Sequence, residues 1–390
     1  MKYNFDETIN RWGTDSTKYD GPKKEIGHSN YIPMWVADMD FKTPKPIRES
    51  IQKMLDNQVL GYTMPNEEWH LAIQNWVKTR YQLDIKEEEL IFTPGIVRGI
   101  AFAVRCFTQV DDKILIMSPV YPPFSHIPEA NKRKIVSHPL VLKDGQYHID
   151  FDQFEKDVKG CKLFILCNPH NPGGRVWTRE ELKKIATICH ANGTLVISDE
   201  IHADLTLPPH KHLAFSSVST EAHENSILFM SPSKAFNMAG LASSYCIIHN
   251  DTLRSKYKEY VEALDVTTSH MFAYAPVVAA YTQCPDWLPQ VLDYLQENID
   301  YVNQTLKTKM PKIKMIKPQA SFLIFLDCRE LGLTDENLEK FFIAKANLLL
   351  NPGISFGKEG SGFMRLNIGC TKKTLQKAMD MLQKAYETLD

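Results

Sequence analysis

Three short polar segments carry residue types that could do chemistry together. They are Asn168-Pro169-His170-Asn171-Pro172-Gly173-Gly174, Asp199-Glu200-Ile201-His202 and Ser231-Pro232-Ser233-Lys234. A fourth, Thr93-Pro94-Gly95, opens a stretch whose apolar positions Ile96, Ile100, Val104 and Phe107 have helical spacing. Taken singly, each has an ordinary reading. Asn, Pro and Gly clusters are loop chemistry, and Asp199 suits a helix cap. His202 suits a hydrogen-bonded core position, and Lys234 is one of 45 basic residues.

Taken in order, they answer the needs of one cofactor, pyridoxal phosphate. That cofactor is held as a Schiff base by a lysine and draws electrons into its ring. Lys234 can supply the amine. A carboxylate beside the pyridine nitrogen keeps it protonated, because an adjacent negative charge favours the cation, and Asp199 suits that place. Asn171 and His202 can donate to the phenolic oxygen. The phosphate calls for backbone N–H groups at a helix N-terminus, offered by Gly95 and Ile96, and for hydroxyls, offered by Ser231 and Ser233. Tyr121 is placed to cover the ring face.

The elements that must position these residues alternate. Apolar runs at Ile114–Met117, Leu163–Cys167, Thr194–Ser198, Ile227–Met230 and Tyr245–Ile248 read as strands buried on both faces. Between two of them, Thr178 and Glu181 form a capping box, Leu182, Ile185, Ala186 and Cys189 an apolar stripe, and Gly193 a stop. The alternation predicts an α/β fold with a mostly parallel mixed sheet. Ligands in such sheets bind beyond the carboxyl ends of the strands, where the polar segments fall. The C-terminal third differs, with strands predicted at 321–327 and 363–368 and a closing helix at 375–389, which suits a smaller α+β domain. The predicted division is an N-terminal segment 1–48 packing with the small domain, a large cofactor-binding domain 49–285 and a small domain 286–390. A linker is expected at Pro285–Pro289.

Composition narrows the class of partner. Over 390 residues, 45 basic and 47 acidic side chains leave a net charge of −2, which gives no electrostatic case for nucleic acid or an anionic membrane. No apolar run approaches the roughly 18 residues of a membrane span. The first residues, Met1 to Glu7, lack the apolar run of a secretory signal, and a cytoplasmic protein is expected. The eight cysteines show no C-x-x-C spacing and read as buried thiols in a reducing compartment.

The Asn168–Pro172, Ser198–His202 and Ser231–Lys234 motifs together resemble the class I/II aminotransferases of fold type I. Pro33-Met34-Trp35-Val36-Ala37-Asp38-Met39-Asp40-Phe41, Gly61-Tyr62 and Gly362-Phe363-Met364-Arg365-Leu366-Asn367 are similar to the MalY/PatB branch of cysteine-sulfur β-lyases. The resemblance runs from about residue 3 to residue 387. It implies that Lys234 is the Schiff-base lysine and Asp199 the partner of the pyridine nitrogen. It also implies that Asn171 and His202 contact the phenolic oxygen and that Tyr121 stacks on the ring. Tyr62 would reach the phosphate of a neighbouring subunit, giving a homodimer with active sites at the subunit interface. Arg365 would clamp the substrate α-carboxylate in a bidentate geometry that lysine cannot copy. Its ordinary alternative is a structural ion pair. Trp35 and Asp38 would line the substrate side, or serve as core and cap.

Two departures from the family pattern stand out. Gly173-Gly174 replaces a Thr-Gly pair, which should loosen the loop while leaving Asn171 in place. Ala242 stands where many aminotransferases carry a phosphate-binding arginine, eight residues after the lysine, and the lyase branch lacks that arginine too. Arg98 either compensates from the helix after Gly95 or is an ordinary surface residue.

The resemblance implies α,β-elimination from L-cystathionine or a related sulfur amino acid to thiol, pyruvate and ammonia, with Lys234 as base. Transamination of an L-amino acid would use the same residues and differ in where Lys234 returns its proton. A regulatory protein that binds the cofactor is a third reading. A divalent-metal hydrolase built on Asp199, Glu200, His202 and Asp204 is a fourth, but alternate strand residues face apart and no second His-rich segment completes a ligand sphere. No metal is expected.

Overall fold

In the computed structural model, which describes all residues other than 23–25, 27–29 and 390, seven strands form one sheet. They are β1 (Leu90–Thr93), β2 (Lys113–Ser118), β3 (Lys134–Pro139), β4 (Cys161–Cys167), β5 (Leu195–Asp199), β6 (Ser226–Met230) and β7 (Ser244–Ile247). The spatial order is β1-β7-β6-β5-β4-β2-β3. Neighbours from β6 through β3 run parallel, while β7 is antiparallel to both β6 and β1. Apart from Lys162 near the start of β4, the central strands β4, β5 and β6 are buried, so helices cover both faces and the apolar runs are continuous.

Register decides what this sheet presents. Cys167 pairs with Asp199, and Asp199 with Phe229. The carboxyl ends of β4, β5 and β6 therefore lie level, and the polar segments that follow them emerge side by side. This is why residues far apart in sequence meet.

Helix α1 (Ile96–Phe107) starts at Gly95 and buries Ile96, Ile100 and Val104, as its spacing predicts. Helix α2 (Arg179–Ala191) carries the expected capping box: the Glu181 N–H donates to Thr178 Oγ1 at 3.2 Å, and the Thr178 N–H to the Glu181 carboxylate at 2.7 Å. A second, antiparallel sheet is built from β8 (Lys314–Ile316), β9 (Leu323–Asp327), β10 (Asn351–Pro352) and β11 (Phe363–Asn367), in the order β8-β9-β11-β10. It packs with helices α3 (Trp287–Lys309) and α4 (Lys372–Tyr386).

The stretch expected as a linker is instead mostly helix. α3 begins at Trp287, and Trp287 and Leu288 are buried in the core. Pro289 is accommodated in the first turn, where no intrahelical N–H is needed. The Trp287 indole donates to the Ala235 carbonyl at 2.8 Å, tying α3 to the turn that holds Lys234. All eight cysteines are buried and free. Among the described residues no helix is long and apolar enough to cross a membrane.

Candidate active site

At the level ends of β4, β5 and β6 lies a cavity of about 380 Å³. Of the residues singled out from sequence, Gly95, Ile96, Tyr121, Asn171, Asp199, His202, Ser233 and Lys234 line it, together with Arg98 and Ala242. Val97, Cys167, Ala239 and Ser244, none of them singled out for the site from sequence, line it as well.

Asp199 is the last residue of β5 and is 5% exposed. The Ile201 N–H donates to it at 3.0 Å, a bend set by the turn after the strand. Burial pushes its carboxyl up to about 7, against the lowering effect of that N–H and of Lys234. A buried carboxylate with so little compensation lacks a cationic partner. Lys234 Nζ donates to the Ala37 carbonyl at 2.7 Å. Burial lowers the amine to about 8, with Asp38 and Asp199 opposing and Arg365 reinforcing. His202 is buried and its ring is driven down to about 3 by burial, then by Lys234 and Arg365. Its Nδ1 has no hydrogen-bond partner.

Arg365, in the middle of β11, is buried. Its Nη1 donates to Asn171 Oδ1 at 3.1 Å, and its Nη2 to the Trp35 carbonyl at 2.8 Å and Asn351 Oδ1 at 2.6 Å. These acceptors are neutral, and the buried Nε has none. The structural ion pair considered from sequence is therefore not formed. Burial lowers the guanidinium to about 10, so it stays cationic at neutral pH with no anionic side chain among its hydrogen-bond partners. Asn351 was not legible from sequence, because nothing local marks an asparagine on a two-residue strand.

Arg365, Asp38, Ser231, Trp35 and Tyr62 are not among the residues that line the cavity. Ser231 Oγ donates to the Ser243 carbonyl at 2.7 Å and accepts the Ser233 N–H at 3.1 Å. Its hydroxyl builds the turn, and Ser233 is the serine that faces the cavity. The Trp35 indole donates to the Lys18 carbonyl at 3.0 Å, so only its backbone meets Arg365. Tyr62 is fully exposed, in a stretch with Val59, Leu60 and Met64 also exposed.

The Gly173-Gly174 pair does not loosen its loop. A Cβ on Gly173 would sit 2.5 Å from Tyr147 Cδ2 and 2.9 Å from His170 Nδ1. The missing side chain is replaced by the buried Tyr147 ring, and the loop is closed by hydrogen bonds from Gly174 N–H to the His170 carbonyl at 2.7 Å and from His170 N–H to the Arg175 carbonyl at 2.8 Å. Gly173→Ala should therefore overpack this corner and cost about 1–3 kcal/mol, read as a lower thermal midpoint. An unchanged midpoint would show that Tyr147 can yield.

The metal reading fails on direction. Glu200 accepts from Ser198 Oγ at 2.9 Å, the Phe215 N–H at 2.8 Å and His212 Nε2 at 2.6 Å. Asp204 turns to Trp76, Tyr81 and Arg80. Neither shares a centre with Asp199, and no cluster of three potential ligands occurs among the described residues.

The cavity fits pyridoxal phosphate on its own features. It offers an amine, a buried carboxylate short of a cation, an imidazole nitrogen without a partner, and the N-terminus of a twelve-residue helix. A Cβ on Gly95, at φ 101°, would meet nothing within 4 Å, so this end of the cavity is open to a phosphate.

The chain matches the family described as aminotransferase class I and II over residues 29–382. Cystathionine beta-lyase PatB of Bacillus subtilis (strain 168) is 40% identical over 384 residues, covering 98% of this chain and 99% of that protein. Protein MalY of Escherichia coli (strain K12) is 31% identical over 391 residues, covering 99% and 100%. The crystal structure of cystalysin from Treponema denticola, which contains pyridoxal 5'-phosphate, superimposes with a TM-score of 0.97 at 35% identity and covers 100% of both chains. The mixed, mostly parallel seven-stranded sheet with its smaller antiparallel companion is the fold type I architecture. By sequence and by structure alike, the chain belongs to the aminotransferase class I and II family, in the branch of PatB and MalY.

Proposed function

We propose that this protein is a pyridoxal-phosphate-dependent carbon–sulfur lyase, converting L-cystathionine or a related sulfur amino acid, with water, to a thiol, pyruvate and ammonia. The carrying observation is the convergence of Lys234, Asp199, Asn171 and the α1 N-terminus on one cavity, beside a buried arginine that has no anionic partner.

Bound pyridoxal phosphate supplies an electron sink for the charge left at the substrate Cα. Lys234 would hold it covalently and, freed when substrate binds, would take the Cα proton. An amine lowered to about 8 is partly neutral near pH 7 and so has a lone pair for that task. Asp199 holds the proton on the pyridine nitrogen. Asn171 and His202 would hold the phenolic oxygen, and Tyr121 would cover the ring. Gly95, Ile96 and Ser233 would hold the phosphate, and Arg98, the other cationic side chain of the lining, stands one turn into α1.

Arg365 orients the substrate through its α-carboxylate. Arg365→Lys keeps the charge but loses the fork, so kcat/KM should fall about 100-fold, the ~2–3 kcal/mol of a charge-assisted pair. Steady-state kinetics check it, and a change under threefold would remove Arg365 from substrate binding.

We also infer a homodimer, with the exposed Val59–Met64 stretch against a second copy and Tyr62 completing its phosphate site. Analytical ultracentrifugation should give twice the chain mass, and a monomer would end this reading.

The decisive experiment incubates the protein and pyridoxal phosphate with L-cystathionine and no keto acid. Sustained pyruvate and thiol in equal amounts support the lyase. Stoichiometric conversion to the pyridoxamine form, reversed by a keto acid and without thiol, would leave an aminotransferase.

A further inference from the structure

Along residues 34–39 every backbone carbonyl is held. The Met34 carbonyl accepts from the Asn367 N–H at 2.9 Å, and Trp35 from Arg365 at 2.8 Å. Val36 and Asp38 accept from the two hydrogens of Asn367 Nδ2 at 2.6 and 2.7 Å. Met39 accepts from Asn237 at 2.9 Å. In the middle, Ala37 accepts from Lys234 at 2.7 Å.

A charged cluster closes this collar from outside. Arg11 grips Asp38 with both Nη atoms, at 3.0 and 2.7 Å, and reaches Asp40 at 2.7 Å. Lys18, only 1% exposed, donates to the Asp38 carbonyl at 3.2 Å and to Asp40 at 3.0 Å, and lies 3.5 Å from the Asp38 carboxylate. Enclosing two cations and two anions is poor stabilisation, because desolvation opposes most of the attraction. What the cluster does achieve is local. It fixes the residue next to Ala37 and places a carboxylate, held ionised by Arg11 and Lys18, close to the Lys234 amine.

We propose that Asp38, clamped by Arg11 and Lys18, is a positioning residue that fixes the Ala37 carbonyl against Lys234 and holds a proton on that lysine's nitrogen. The inference rests on Lys234 being the cofactor lysine. The charged groups acting on its nitrogen are Asp38 from the collar, Asp199 from β5 and Arg365 from β11, with Tyr121 and His202 in the same cavity. Asp38 and Asp199 favour the proton and Arg365 opposes it.

The test is a pH titration of the visible absorbance of the holoenzyme, which reads protonation of the Lys234–cofactor nitrogen whatever reaction follows. Asp38→Asn removes a nearby negative charge, so the transition should move about one pH unit lower. Arg11→Gln removes half of the clamp that holds Asp38 in place and ionised, so it should move the transition the same way by a smaller amount, and Arg11→Lys should restore it. A merely structural role would leave the transition unmoved in Asp38→Asn, and an unmoved or raised transition there overturns the proposal. If one variant fails to fold by circular dichroism, the sign of the other decides alone. A wild type that titrates normally but releases no pyruvate would sink the lyase reading and leave this one standing. A wild type whose absorbance band survives Lys234→Ala would overturn the role of Lys234 and this proposal with it.

Discussion

Lys234→Ala should abolish pyruvate release from L-cystathionine, with kcat down at least about 10⁴-fold, while the protein folds normally. Two losses combine. The covalent attachment goes, and so does the base for the Cα proton, which by itself is typically a 10²–10⁴-fold effect. Folding should survive because the native state gains little from this amine. Its proton affinity falls from 10.5 to about 8 on burial, so the folded chain binds fewer protons than the unfolded one between those values. Below pH 8 the native state carries the full cost of a buried ammonium, and stability from this group rises only as pH climbs from 8 to 10.5. Alanine removes that cost at neutral pH. Pyruvate assay, cofactor absorbance and a thermal melt on the same sample check all three parts. Activity within tenfold of wild type would move the cofactor attachment elsewhere.

What could be read in the sequence follows from burial. The five central runs were legible because strands enclosed on both faces are apolar throughout, and Leu163–Cys167 or Ile227–Met230 can be little else. β3 was not legible. It is an edge strand with only His138 buried, and Lys134-Ile135-Val136-Ser137-His138-Pro139 carries no continuous run. β10, two residues long, is defined by its pairing with β11 rather than by its own composition. In the site, side chains that emerge directly after strands were legible, since register lines up their ends. Groups acting through the backbone were not. The Ala37 carbonyl is the acceptor for Lys234, yet an alanine carries no chemical signature. Ser231 shows the converse: its type suited a phosphate, but a hydroxyl two residues before an N–H in a tight turn was taken by the turn itself.

Asp199→Asn should lower kcat/KM about 10³-fold and, without cofactor, stabilise the protein at pH 8. Both effects come from one buried carboxylate that has no cation among its hydrogen-bond partners. In the cofactor-free chain, burial raises Asp199 from 3.8 to about 7, a difference worth ~4 kcal/mol. The sign follows from proton binding. Between those values the folded state keeps a proton that the unfolded chain has released, so stability from this group falls as pH rises from 3.8 to 7 and the loss is complete above it. An amide carries no such charge. The asparagine variant should therefore melt above wild type at pH 8, and this advantage should shrink by about half at pH 5.5. Added pyridoxal phosphate should reverse it, because the protonated pyridine nitrogen gives Asp199 the partner that the protein withholds. The catalytic loss would have the same origin: without an anion beside it, that nitrogen would give up its proton and the ring would draw electrons poorly, at ~4 kcal/mol for a thousandfold. Thermal midpoints of both proteins at the two pH values, with and without cofactor, separate these terms. An advantage for the variant that ignores pH, or that survives cofactor binding, would mean that Asp199 does not face the pyridine nitrogen.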